Sequence, residues 1–300
     1  MKKLGNQHTV SMMACDNEMA IWIDPGEMLE IETQNWFASQ RNYAQELADA
    51  VHGIDINPST GPVGVRGAEK GDILQVDILD IQLMDQGIMF TFPGSGILGS
   101  EMTEIKNTVI EMRDGYAHFN AHIRIPLKPM IGVIGTSPVE SVPCFLPGQH
   151  GGNMDNQHVG AGSSIYLPVY TSGGGLSLGD LHGVMGDGEI SEWGLETSGK
   201  VLIKTHIIKQ KDLTWPVLET KKDIYFVVSM ETIDSAIQEA VRYLVQILQQ
   251  ADGLSKEEAV SLVSLIGHVE ICQVVNPIKT IRLRVSKEVI GITLLEAILA

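Results

Sequence analysis

Ile73-Leu74-Gln75-Val76-Asp77-Ile78-Leu79-Asp80-Ile81 decides the architecture of this chain. Apolar and polar residues alternate along it, and in an extended chain residues two apart share a face. The stretch therefore predicts a strand with one buried face and one wet face. Gly71-Asp72 supplies a turn just before it, and further turn signals stand at Pro25-Gly26, Asp114-Gly115 and Asp187-Gly188. Thr108 to Arg113 and Tyr116 to Phe119 flank Asp114-Gly115 and read as a hairpin, because Asp-Gly suits the tight turns hairpins use. Many short strands at this spacing predict a sandwich or barrel from Met1 to about Val228.

The last seventy or so residues follow a different period. Ile233, Ala236, Ile237, Ala240, Val241, Leu244 and Leu248 form one apolar stripe at helical spacing. Ser255-Lys256-Glu257-Glu258 is a capping box, in which Ser255 and Glu258 satisfy free backbone N–H groups at the start of a second helix. Ala259, Leu262, Val263, Leu265 and Ile266 supply its apolar face, and strands are expected at Val269 to Val275 and Ile281 to Val285. The fold class expected is mainly β with an α+β C-terminal part. Its division falls into a β-rich domain over 1–220 and an α+β domain over 221–300.

Composition narrows the partners. The 300 residues are 44% hydrophobic and 19% charged, as in a folded soluble protein. Net charge is 21 − 37 = −16, which repels phosphate polymers, and no basic stripe with interleaved aromatics offsets it. Nucleic acid is thereby disfavoured, as is an anionic membrane surface. Cys15, Cys144 and Cys272 are odd in number and far apart, which describes reduced thiols and no disulfide framework. Asn6, Gln7 and His8 interrupt the apolar run a lipoprotein signal ahead of Cys15 would need, and no run has transmembrane length. A cytoplasmic location is expected.

Chemistry concentrates between His150 and Gly199. Asp155, Asp180, His182, Asp187, Glu189 and Glu196 lie there in a bed of glycines, which allow positive φ and close approach of the backbone to a ligand. Asp180 and His182 are two apart, so an extended chain projects both from one face. Asp187 and Glu189 repeat that spacing after a tight turn, and Asp155 must arrive from a neighbouring loop. A carboxylate–imidazole set with an open position suits zinc or a similar divalent ion that activates water. Gly-Asp pairs are also ordinary turn chemistry, so spacing alone leaves the point open.

Other motifs are weaker. Gly94-Ser95-Gly96-Ile97-Leu98-Gly99 spells the dinucleotide fingerprint, but Pro93 breaks the preceding strand and a hairpin pattern follows, so it reads as a turn region. Ser163 and Ser164 lie in a Gly/Ser-rich loop and Cys144 follows Pro143; each is a candidate covalent nucleophile without a visible partner. His122 can reach a site between strands, whereas the other histidines outside Asp-x-His read as surface or core residues.

Longer motifs join these pieces. They are Asn57-Pro58-Ser59-Thr60-Gly61-Pro62-Val63, Val65 to Asp72, Pro126 to Gly135, Gly151-Gly152-Asn153-Met154-Asp155, Gly179-Asp180-Leu181-His182 with Gly186-Asp187-Gly188-Glu189, Leu254 to Ala259, and Gln273-Val274-Val275-Asn276-Pro277. In this order they resemble the acetamidase/formamidase family over nearly the whole chain. The resemblance implies hydrolysis of short linear amides to a carboxylate and ammonia. It also implies a jelly-roll-like N-terminal part, a bound divalent metal and homo-oligomers. Asn35 stands where the family often has Asp, and Ser163-Ser164 where relatives often carry threonines, which argues against a serine nucleophile.

Together the residues and the resemblance predict a metal site of Asp155, Asp180 and His182, holding zinc first and calcium second. Glu189 is expected to be the general base, and Glu196 to orient it or bind the amide NH₂. Gly151, Gly152 and Asn153 are expected to face the substrate and its oxyanion. The rival reading is a metal-stabilised β-module without turnover.

Overall fold

A computed structural model describes residues 1–34, 57–211 and 213–289. Asn35 lies outside them. Two open sheets dominate. The first has nine strands in the order Lys2–Leu4, Met28–Glu32, Gly199–Ile208, Ile73–Leu83, Ser164–Pro168, Val217–Glu219, Asp223–Met230, Lys279–Ser286 and His268–Gln273. The second has eleven, with Leu176–His182 at its centre. That strand pairs with Met130–Gly135, Ser59–Val65 and Glu196–Thr197.

Alternation in Ile73–Leu83 builds the interior. Leu74, Val76 and Ile78 point to one core, with Ile165, Leu167, Val201 and Ile203 from neighbouring strands. Val63, Ile131, Ile134, Leu178 and Leu181 of the second sheet close this core from the other side. One change of phase was not foreseen. Ile78 pairs with Ile203 and Asp80 with Leu202, so Leu79 is the extra residue of a β-bulge. The bulge leaves Leu79 exposed and returns Ile81 to the core.

The other face of the first sheet carries a second core. Ile73, Tyr166, Val217, Phe226, Val228, Ile281 and Leu283 meet Ala236, Ala240, Leu244 and Leu248 of helix α1 (Ile233–Asp252) and Val263 of helix α2 (Lys256–Ile266). Three layers result: sheet, sheet, helices. Ser255 and Glu258 form the expected capping box of α2, and Gly253 in the left-handed region closes α1. Around residue 220 the ladder runs on unbroken, since Val217 pairs with Phe226. On both sides of that point alternate residues face the two cores, Leu218, Tyr225 and Val227 toward the second sheet and Val217, Ile224 and Phe226 toward the helices.

The predicted hairpin forms between Lys106–Arg113 and Tyr116–His118, with Asp114 at φ 51° and Gly115 at φ 79°. No helix among the described residues is long and apolar enough to cross a membrane.

Candidate active site and metal centre

The site grows from the middle of the second sheet. Ile131 pairs with Leu181 and Val133 with Gly179, which sets Gly132 opposite Asp180. Gly132 has no side chain, and the space left is filled by carboxylates. A Cβ at Gly132 would lie 2.5 Å from Asp180 Oδ2 and 2.6 Å from Asp155 Oδ1. Strand Gly151–Asn153 delivers Asp155 to that point, where the Asp155 N–H donates to the Gly132 carbonyl at 3.3 Å.

On the other side His182 pairs directly with Glu196 across the ladder. His182 Nε2 lies 3.0 Å from Glu196 Oε1 and 3.6 Å from Asp180 Oδ1. Gly194 packs on the imidazole so tightly that a Cβ there would fall 2.3 Å from Nδ1, and its N–H donates to Glu196 Oε1 at 3.1 Å. Glu189 arrives on the loop after His182. The neighbouring Gly188 exchanges backbone hydrogen bonds with Cys272 and Val274, pinning this loop to the C-terminal strand.

Ligand atoms of Asp155, Asp180 and His182 lie within 4.8 Å of one another, and those of His182, Glu189 and Glu196 do likewise. The expected metal trio therefore converges. Glu189 and Glu196, read from the sequence as acid–base groups, make a second trio through the same imidazole. All five side chains are buried or nearly so.

Backbone strain marks the same place. Asn57, Asp155, Asp180 and Glu189 all have positive φ, between 46° and 57°. Asp and Asn tolerate this region better than Glu does, so the conformation at Glu189 is the most costly of the four. Asp180 takes this conformation inside a ladder that stays in register with Met130–Gly135, and Asp180 and His182, two apart on one strand, converge as the sequence predicts.

Burial and mutual repulsion shift the groups of the cluster. Burial, then repulsion from Asp180, raises the Asp155 carboxyl to about 7. Burial also raises Glu196 to about 7, partly offset by His182. Glu189 is pushed well above the usual carboxylate range by burial and by Asp155. Burial works to lower His182, but Glu196 and Asp180 outweigh it and hold its pKa well above the ordinary value. Among the described residues His182 is the only cationic group in an ion pair with these carboxylates. Asp155 Oδ1 and His182 Nδ1 are buried without a hydrogen-bond partner among the described residues, and His182 Nε2 faces only carboxylates. Unpartnered donors of this kind around a carboxylate-lined gap fit a divalent cation.

Other predicted residues fall elsewhere. Asp187 repeats the spacing but turns away: it accepts from Arg282 Nη2 at 2.5 Å and from Gln157 Nε2 at 2.5 Å. The Gly151 N–H is committed to the Gly148 carbonyl, while Asn153 keeps a buried Oδ1 with no partner among the described residues. Cys144 is buried, donates to the Val10 carbonyl and has its thiol raised to about 11 by burial, conditions opposite to those of a nucleophile. Ser163 bonds back to Gly160, and Ser164 donates to Asp77. Neither belongs to the cluster.

Sequence reasoning missed several supports. Asn57 Nδ2 donates to Asp180 Oδ2 at 3.1 Å, and Asn276 Nδ2 to Asp155 Oδ2 at 3.4 Å. Both asparagines lie in motifs already noted, but a lone Asn carries no spacing signal. Arg282, 1% exposed, ties Asp187 to Glu270, whose Oε2 accepts from Nε at 2.7 Å. Arg282→Met is expected to cost about 3 kcal/mol, the low end for a broken buried pair because Asp187 keeps contact with water. Thermal unfolding should read this as a Tm lower by roughly 6 °C. Turnover should fall as well, since the loop bearing Glu189 loses a tether; unchanged Tm and rate would refute the role.

A cavity of about 360 Å³ adjoins the cluster, with Glu189 and Gly194 in its wall. Its other walls are mostly apolar: Met89, Ile110, Ala117, Val184, Trp193 and Leu195.

Comparison with known proteins places the chain in a family. The sequence profile of the Acetamidase/Formamidase family matches residues 7–145 and 140–283. A formamidase of Methylophilus methylotrophus is 28% identical over 256 residues, covering 65% of this chain and 62% of its own length. An acetamidase of Mycolicibacterium smegmatis is 26% identical over 262 residues, 65% and 64% of the two chains. This chain thus spans less than two thirds of these curated relatives. Solved structures match it end to end. A predicted acetamidase/formamidase from Thermoanaerobacter tengcongensis superposes with a TM-score of 0.92 at 37% identity, over 96% of both chains. An acetamidase from Bacillus halodurans gives 0.91 at 36% identity, over 95% of this chain and 97% of that one. On the family profile and the whole-length structural match, this chain belongs to the acetamidase/formamidase family.

Proposed function

We propose that this protein is an amidohydrolase that cleaves the C–N bond of linear amides to a carboxylate and ammonia at a divalent-metal centre. The observation that carries it is the buried set of four carboxylates around one imidazole, with an apolar cavity against the same residues. Asp155, Asp180 and His182 would hold the ion, zinc by the chemistry of the donors, with Glu196 completing or orienting the set. Such an ion supplies Lewis acidity and lowers the pKa of bound water toward neutrality.

The chain's own residues would do the rest. Asn57 and Asn276 fix one oxygen each of Asp180 and Asp155, which leaves the other oxygens aimed inward. Glu189 stands in both the cluster and the cavity wall, where it accepts a proton and returns it to the leaving nitrogen. Ammonia leaves poorly unless protonated, so this transfer is the step that the site must assist. Asn153 and the Gly152 backbone stay the proposed contacts for the substrate and its oxyanion, and the cavity wall that holds Glu189 does not include them.

Metal removal tests the reading. Dialysis against a strong chelator should abolish ammonia release from acetamide and other small amides, lower Tm, and be reversed by zinc. Full turnover with metal removed to well below one ion per chain would exclude the metal centre. A Tm loss with no turnover of any amide by the loaded protein would leave a structural ion alone.

The expected homo-oligomer also stays a proposal. Support comes from Val109, Phe119 and Ile123, which the hairpin arm and the segment after it leave exposed. The proposed cytoplasmic location agrees with the three free cysteines.

A further inference from the structure

Resting on the hydrolase reading, we infer that the cavity beside Glu189 is an acyl chamber. The substrates it favours are amides of larger apolar acids, branched, medium-chain or arylalkyl, over formamide and acetamide. Three observations carry this.

Size is the first. A cavity of about 360 Å³ holds on the order of a dozen waters at about 30 Å³ each. A formyl or acetyl group placed against Glu189 leaves most of that volume to water held between apolar walls. Pockets that bury a whole ligand begin at about this size.

Chemistry of the lining is the second. Met89, Ile110, Ala117, Ile125, Val184 and Trp193 offer carbon surface to an acyl chain. The polar side chains in the wall besides Glu189 are already engaged, Asp187 with Arg282 and Gln157, and Ser191 with the Trp193 carbonyl. Among the described residues no lysine or arginine lines the chamber, so an acyl group bearing a carboxylate or phosphate finds no counter-charge from them. An acyl group rich in hydroxyls would lose hydration without replacement.

Position is the third. Gly194 forms part of the chamber wall, lies against the His182 ring and donates to Glu196. One layer of backbone thus separates apolar space from the reacting centre. A chain in the chamber places its carbonyl carbon at Glu189, as productive binding requires.

The test is a kcat/KM series on the metal-loaded protein with formamide, acetamide, butyramide, 3-methylbutanamide, hexanamide and phenylacetamide. Each methylene buried should raise kcat/KM by up to roughly fourfold, until the chamber is full. Ala117→Leu fills the chamber from its side wall and should lower the ratio of phenylacetamide to acetamide by about tenfold. If that variant fails to fold, Ile125→Phe at a half-buried position makes the same test. Selectivity that peaks at acetamide and falls with every added carbon overturns the inference but leaves the hydrolase reading standing. A ratio unmoved by either folded variant does so too. No turnover of any amide overturns both.

Discussion

Glu189→Gln is expected to lose about 10²- to 10⁴-fold in kcat/KM while keeping the fold and the bound metal. Glutamine matches glutamate in shape, so the chamber wall and the left-handed backbone at this position are unchanged. What disappears is the ability to take up a proton next to the scissile bond. Two measurements on one preparation decide the role: ammonia release and metal per chain. Lost turnover with full metal assigns Glu189 to proton transfer. Lost metal assigns it to the ligand set, which its place in a trio with His182 and Glu196 makes the real competitor. Wild-type turnover would remove it from the reaction.

This competition shows where sequence reading stopped. Asp155, Asp180 and His182 were legible because metal chemistry needs those side chains and an Asp-x-His spacing is local. Partition of roles between Glu189 and Glu196 depends on a cross-strand pair, Glu196 opposite His182, and on a loop pinned to residues 272 to 274. Neither pairing is written in local spacing. Asp187 illustrates the reverse error. Its spacing from Glu189 copies that of Asp180 from His182, yet Gly188 at φ 97° turns the chain between them. Arg282, ninety-odd residues later, then takes the Asp187 carboxylate.

Fold followed the same rule. Both helices and the cap at Ser255 were readable, as their periodicity and hydrogen bonds span only a few residues. The hairpin at Asp114-Gly115 was readable for the same reason. The alternation from Ile73 to Ile81 marks a strand, which the structure extends to Leu83, but nothing in it marks Leu79 as a bulge. A bulge is defined by what the partner strand does, and here the partner lies beyond residue 198.

Gly132 is the residue whose importance no sequence motif could announce, and Gly132→Ala should nevertheless abolish metal-dependent turnover. A glycine contributes no ligand, and this one is not in the left-handed region, so alanine suits its backbone. Gly to Ala at such a site should, on chain entropy alone, stabilise the protein by about 0.4 to 1 kcal/mol. Position reverses the sign. The added carbon would stand 2.5 Å from Asp180 Oδ2 and 2.6 Å from Asp155 Oδ1, with the Asp180 carbonyl at 3.0 Å. Contacts that short push the two carboxylates off their common centre, and the backbone carbonyl limits how far they can yield. Metal affinity should fall by at least 10- to 100-fold, the usual cost of disturbing groups that orient ligands. Isothermal titration with zinc measures that loss, and ammonia release from acetamide should disappear with it. Unfolding separates this from simple misfolding. With chelator present, variant and wild type should melt close together, because the carboxylates can move apart when no ion holds them. Without chelator, only the wild type should gain stability from added zinc. A variant that binds zinc as tightly as wild type and turns over amide at the same rate would show that Asp155 and Asp180 do not share an ion across Gly132.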